Sequence, residues 1–163
     1  MTYLIASGIS AAASVRVGNQ LGAKNILSLR QAAYSAFILV IITQVIFALF
    51  FIVFRFVMPV IFNDEQEVRD IVSSLLLITA LFQLSDGIQV VALGVLRGIK
   101  DVNIPTWITF IVYWLIGLPC SYALAFTLDF GVQGVWFGLT LALTLAAFFL
   151  FFRFKYVLKR TSL

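Results

Sequence analysis

Asp86 is the residue in this chain best placed to do chemistry. It stands inside an otherwise uncharged apolar run, Ile71 to Leu96, bounded by Asp70 and Arg97. A run of that length meets the ~20 residues that a helix needs to cross ~30 Å of hydrocarbon. Its centre falls near Leu84, which puts Asp86 only ~3 Å along the axis from the bilayer midplane. A carboxylate at that depth costs ~2.5–3.5 kcal/mol on insertion scales, so it is expected to face a cavity or a partner. Binding a proton or a cation relieves that cost. Asp86 is therefore the candidate coupling residue, with Na⁺ as the metal ion it could hold. The competing reading is a buried aspartate satisfied by Gln and Tyr neighbours and serving helix packing alone.

The neighbours of Asp86 extend its polarity. At 100° per residue, Thr79, Gln83, Asp86 and Gln89 fall near one stripe. On the next apolar run, Tyr113 shares a face with Thr106, Thr109 and Gly117 at three- and four-residue steps. That face is the candidate for lining a cavity beside the Asp86 helix, through Thr109 and Tyr113. Trp107, Trp114 and Trp136 with Tyr113 and Tyr122 could bind flat organic cations through their ring faces. For Trp107 and Trp136, which lie near opposite boundaries of their runs, an interfacial belt is the better reading. Pro119 lies well inside its run, removes a backbone hydrogen bond and is expected to kink the helix, leaving a free carbonyl near Leu115. Gly94 with Gly98, and Gly134 with Gly138, have the four-residue spacing that lets helix backbones approach closely in lipid.

Other chemistries lack their residues. There is no histidine and a single cysteine, Cys120, so His-based catalysis, intrachain disulfides and CxxC sites are excluded. VRVGNQLGAKN carries a GxxxG but not the Lys-Ser/Thr of a phosphate-binding loop. No nucleophile–base pair and no repeated acidic ligand set is present. The chain reads as a non-enzyme without a bound cofactor, and uphill transport would draw on an ion gradient or on a further subunit.

The elements that must position Asp86 follow from composition and charge. Of 163 residues, 63% are hydrophobic and 11% charged, against ~45–50% and ~25% in soluble domains. This excludes soluble, disordered and collagen-like chains and predicts an all-α integral membrane protein, a polytopic helix bundle. Full spans are expected at about 31–54, 71–96, 102–128 and 130–152, with a tail at 153–163. Residues 1–15 reach only ~22 Å, so they read as the second half of a helix whose first half precedes this chain. After them a polar loop is expected from Arg16 to Arg30. Asn63 to Asp70 is the largest connection on the other side, and Val68 within it suggests a short surface helix.

Nine basic residues (Arg16, Lys24, Arg30, Arg97, Lys100, Arg153, Lys155, Lys159 and Arg160) fall on one side of this arrangement. Arg55 and Arg69 fall on the other, with Asp64, Glu65, Glu67, Asp70 and Asp129. By the positive-inside rule the nine are cytoplasmic, as is the C-terminus, in a multi-pass protein of the cytoplasmic membrane. The basic excess thus points to membrane lipid as a partner and not to nucleic acid.

Four segments carry a family resemblance. AAASVRVGNQLGAKN resembles the loop after the eighth helix of the multidrug and toxic compound extrusion (MATE) family. LSDGIQVVALGVLRGIKDVNIP resembles that family's tenth helix and the loop beyond it. YWLIGLPCSYAL and FGVQGVWFGL resemble its eleventh helix and the start of its twelfth. The matches span nearly the whole chain in the family's order. The resemblance implies a twelve-helix antiporter of two six-helix lobes, exporting organic cations and drugs in exchange for Na⁺ or H⁺. This chain would then be part of the C-terminal lobe, and the N-terminal lobe would be its missing partner. It also implies that Asp86 matches the tenth-helix aspartate implicated in cation binding. Phe82 departs from the pattern, standing where some relatives carry tyrosine. The alternatives are a lipid-linked oligosaccharide flippase of the same superfamily fold and a non-transporting membrane scaffold subunit. The flippase often has more basic residues at depth, whereas here Asp86 is the charged residue there; the scaffold predicts that Asp86 is dispensable.

Overall fold

The computed structural model describes residues 2–62 and 65–161, which are helical throughout with short connections and no strand. In chain order the helices are α1 (Thr2–Gly22), α2 (Ile26–Phe54), α3 (Val57–Phe62), α4 (Gln66–Gly98), α5 (Asn103–Ile111), α6 (Leu118–Tyr122) and α7 (Gly131–Thr161). Two π-helical segments, Val112–Gly117 and Ala123–Thr127, join α5 to α6 and extend α6. Four segments are long and apolar enough to cross a membrane: Ile26–Phe54, Gln66–Gly98, Asn103–Thr127 and Gly131–Arg160. The polytopic all-α bundle expected from composition is therefore present.

The packing is that of a protein whose solvent is lipid. Ile38, Ile46, Val53, Leu118 and Phe152 point outward, and Ser10, Gln44, Ser73, Gln83, Gln89 and Ser121 are buried. With no water in hydrocarbon, polar groups gain by turning towards other helices. α4 is the central helix, with α1, α2 and α7 all packed on it, while the α5–α6 span leans on α7. The main apolar core lies among α1, α2, α4 and α7, around Leu29, Phe37, Val95, Leu96, Leu150 and Phe154. Phe37 meets Phe151 edge-on at 5.3 Å, and Tyr34 meets Phe154 at 5.8 Å.

The paired glycines set the two closest helix contacts. A Cβ on Gly98 would come within 2.6 Å of the Ser14 carbonyl oxygen, so α1 can lie against α4 only while this position is bare. Gly134 meets the backbone of Leu124 and Ala125 in the same way, seating α7 on the second π segment.

Several boundaries differ from the sequence expectation. The N-terminal helix does not stop at Val15. Arg16 to Gly22 are its last turns, because Val17 is fully buried and Gly18 sits against the Gly98 carbonyl. The expected Arg16–Arg30 loop shrinks to Ala23–Asn25, where Lys24 takes φ 54° and Asn25 caps α2 by accepting from the Ser28 amide at 3.0 Å. The short helix of the opposite connection is α3, not a turn around Val68, which already belongs to α4. Asn63 and Asp64 of that connection lie outside the described residues. The basic tail is helical too, as the last turns of α7, and Ser162 and Leu163 lie outside the description. α4 is longer than the apolar run that announced it. Its centre is Phe82, so Asp86 stands ~6 Å along the axis from the middle of the helix.

Candidate ion-coupling site

Asp86 lies on the central helix, half-buried, and makes no hydrogen bond or ion pair among the described residues. The two glutamines flanking it reach different neighbours. Gln83, three residues before, is buried and donates from Nε2 to the Gln44 carbonyl of α2 at 3.3 Å. Gln89, three residues after, is buried and accepts at Oε1 from the Tyr113 hydroxyl at 2.8 Å. The expected stripe is thus a fan. Gln83 turns to α2, Gln89 turns to the first π segment, and Asp86 projects between these directions at the helical increment of 100° per residue.

Tyr113 therefore meets the Asp86 helix, at a position where the chain is π-helical. The segment from Val112 to Gly117 lies just before Pro119, whose missing N–H breaks the regular ladder. The widening shows at Leu118, whose amide bonds the Tyr113 carbonyl five residues back. The perturbation expected from Pro119 takes this form, and π-helical turns recur at functional sites.

The remaining candidates do not all converge. Thr79 is half-buried and returns its hydroxyl to the Leu75 carbonyl at 2.8 Å. Thr109 bonds the carbonyls of Pro105 and Thr106 in its own helix, at 3.1 and 2.9 Å. Gly117 faces α7, where a Cβ would come within 2.8 Å of Ala142. It therefore does not share the face that Tyr113 presents to α4. Trp107 and Trp114 are exposed and pack on Phe110, with ring centroids at 5.8 and 6.0 Å. Trp136 instead meets Phe82 edge-on at 5.7 Å, so the departure from tyrosine at position 82 is absorbed into packing on α7.

Gln44 is a residue of this region that the helical pattern of α4 does not point to. It is 2% exposed, and neither its Oε1 nor that of Gln83 has a hydrogen-bond donor among the described residues. Gly87 makes room for it, since a Cβ there would lie 2.7 Å from Gln44 Cγ. The signal in the sequence is a lone amide, next to Thr43, within the apolar run from Ala36 to Phe54. Gln83 Oε1, from the residue three before Asp86 on α4, and Gln44 Oε1, on α2, are buried acceptors without donors among the described residues, chemically suited to receive a cation or a proton-bearing group. No cluster of three or more His, Cys, Asp or Glu capable of holding a metal occurs among the described residues. Any cation held here would thus rely on Asp86 and neutral oxygens.

The chain is thus an all-α polytopic bundle whose central helix carries one carboxylate without a hydrogen bond or ion pair among the described residues. Residues 1–123 match the family model MatE, and the chain belongs to that family. It is 36% identical over 98% of its length to the probable multidrug resistance protein NorM of Xylella fastidiosa strain Temecula1, covering 34% of that protein. It is 38% identical over 98% of its length to the multidrug resistance protein MdtK of Photorhabdus laumondii, covering 36% of it. Among solved structures, the eukaryotic MATE transporter AtDTX14 superposes with a TM-score of 0.85 at 31% identity, over 91% of this chain and 33% of that one. The inward-facing conformation of a multidrug resistance MATE family transporter of the MOP superfamily shares the fold, with a TM-score of 0.86 at 17% identity, over 99% of this chain and 38% of that one. The chain spans about a third of the length of the curated relatives it matches.

Proposed function

We propose that this chain is the part of a multidrug exporter that carries its coupling carboxylate, and that Asp86 exchanges Na⁺ or H⁺ for organic cation substrates. The observation that carries the reading is Asp86 itself. It is the acidic residue in the middle of a span, half-buried and unpaired among the described residues, between two buried glutamines. A lone carboxylate in hydrocarbon gains by binding a cation or proton. If the binding is tighter in one facing state, it biases the carrier between states, which is the differential affinity that coupled transport requires. The relatives named for multidrug resistance support the substrate class. In this reading the basic loops and the C-terminus are cytoplasmic, and the remaining lobe completes the path.

The full-length protein containing this chain provides the test. Asp86→Asn keeps shape and hydrogen-bonding capacity but removes the charge. In proteoliposomes with separately clamped Na⁺ and pH gradients, the variant is expected to insert at wild-type levels and to lose gradient-driven efflux. Wild-type efflux at equal reconstitution would leave Asp86 a packing residue.

A further inference from the structure

Two cavities lie between α2 and α7. At the end of the bundle where α2 begins and α7 ends, Arg30, Lys155 and Lys159 line one pocket of ≈ 360 Å³ with Ile26, Tyr34 and Leu158. Its lining holds no acidic residue. Tyr34 is also a wall of a larger apolar groove of ≈ 440 Å³, continued by Phe37, Ile41, Ile88, Phe148 and Phe151. The two cavities meet at the Tyr34 side chain, the first lined by cations and the second apolar.

The dimensions match a lipid rather than a free anion. From Ile26 to Ile41 on α2, and from Lys159 back to Thr144 on α7, the lining runs fifteen residues. At ~1.5 Å per residue that is ~22 Å, about half of a ~40–45 Å bilayer with its headgroup regions and so the depth of one leaflet. The cations are held over the aromatic wall. The Arg30 guanidinium lies 5.6 Å from the Tyr34 ring centre, and Lys155 Nζ lies 4.8 Å from that of Phe151. Basic pockets between spanning helices attract phosphate headgroups, and here the groove below supplies the place for an acyl chain.

We infer that these two α2–α7 cavities form a binding site for an anionic phospholipid, its phosphate held by Arg30, Lys155 and Lys159 and one acyl chain laid along Tyr34, Phe37 and Phe148. The site is independent of the coupling role of Asp86, and its test reads lipid occupancy and not transport. The full-length protein would be delipidated, exchanged into detergent containing phosphatidylglycerol or phosphatidylcholine, and its bound lipids counted by native mass spectrometry. Phosphatidylglycerol is expected to be retained in preference. The double variant Arg30→Gln, Lys155→Gln is expected to lose about fivefold in affinity for each charge removed, with phosphatidylcholine unchanged. Lys24→Gln, which removes a charge outside the pocket, is expected to behave as wild type. Ile41→Trp, which fills the groove and leaves the cations in place, is expected to weaken phosphatidylglycerol binding as well. Equal retention of the two lipids, equal loss in Lys24→Gln, or an unaffected double variant would overturn the site. Displacement of the lipid by millimolar inorganic phosphate, or normal retention in Ile41→Trp, would replace it with a surface anion site.

Discussion

Replacing Gly94 by alanine should separate α1 from the central helix, and the size of the effect can be worked from the contact. A Cβ at position 94 would stand 2.5 Å from the Ser10 carbonyl oxygen and 3.0 Å from its carbon. These are backbone atoms in the middle of a helix, so no side-chain rotation relieves them. Restoring an ordinary contact of about 3.4 Å requires α1 to withdraw by about 1 Å, because packed interiors have little slack. Overpacking of this kind costs about 1–3 kcal/mol. The withdrawal also strains the 2.7 Å hydrogen bond from Ser10 Oγ to the Val90 carbonyl, worth about 0.6 kcal/mol on the average for interhelical bonds in membranes. Alanine returns about 1 kcal/mol of helix propensity. The net expectation is a loss of about 0.6–2.6 kcal/mol. Gly22→Ala is the control, since nothing lies within 4 Å of a Cβ there. Reversible unfolding of the full-length protein in mixed micelles would measure both variants. If Gly94→Ala lies within about 0.5 kcal/mol of wild type, the backbone contact is not what holds α1 to α4, and the packing argument fails.

The other expectations concern the site and its orientation. Tyr113→Phe removes the donor to buried Gln89 Oε1 and should cost about 0.6–1.7 kcal/mol, the range for such bonds in membranes, measured in the same unfolding assay. Gln89→Ala should weaken efflux less than Asp86→Asn, because it removes a neutral neighbour and not the charge; equal losses in the transport assay would move the coupling role away from the carboxylate. In a background lacking Cys120, a membrane-impermeant maleimide added outside cells should label Gln66→Cys and not Lys100→Cys. The reverse pattern would invert the topology.

How much of this was legible in the sequence depended on whether a feature is local. The four spans could be read because ~20 apolar residues between charges admit few alternatives in lipid. The glycine pairs could be read for the same reason, since four-residue spacing puts two bare positions on one helix face. What could not be read was where a helix stops when polar residues continue it. Arg16 and Asn19 suggested a loop, yet Val17 and Gly18 were needed against α4, and tertiary packing carried the helix on to Gly22. Asp70 suggested a boundary as well, but α4 begins at Gln66, where its first turn has room for Glu67 beyond the apolar run.

The same limit explains the site. Asp86 stood out because a charge in an apolar run is visible on one strand of text. Gln44 did not, because its meaning comes from Gly87 and Gln83 on another helix, more than thirty-five residues away in sequence. The periodicity that aligned Gln83, Asp86 and Gln89 was correct as geometry on α4 and incomplete as chemistry, because α4 is surrounded. A residue 60° to either side of Asp86 meets a different helix, and each glutamine was taken up by its own neighbour. Asp86 remains without a hydrogen bond or ion pair among the described residues because it lies between those neighbours. Its availability is therefore a property of the packing of α2 and the π-helical turn around α4, and the proline that widens that turn belongs to the construction of the site as much as the carboxylate does.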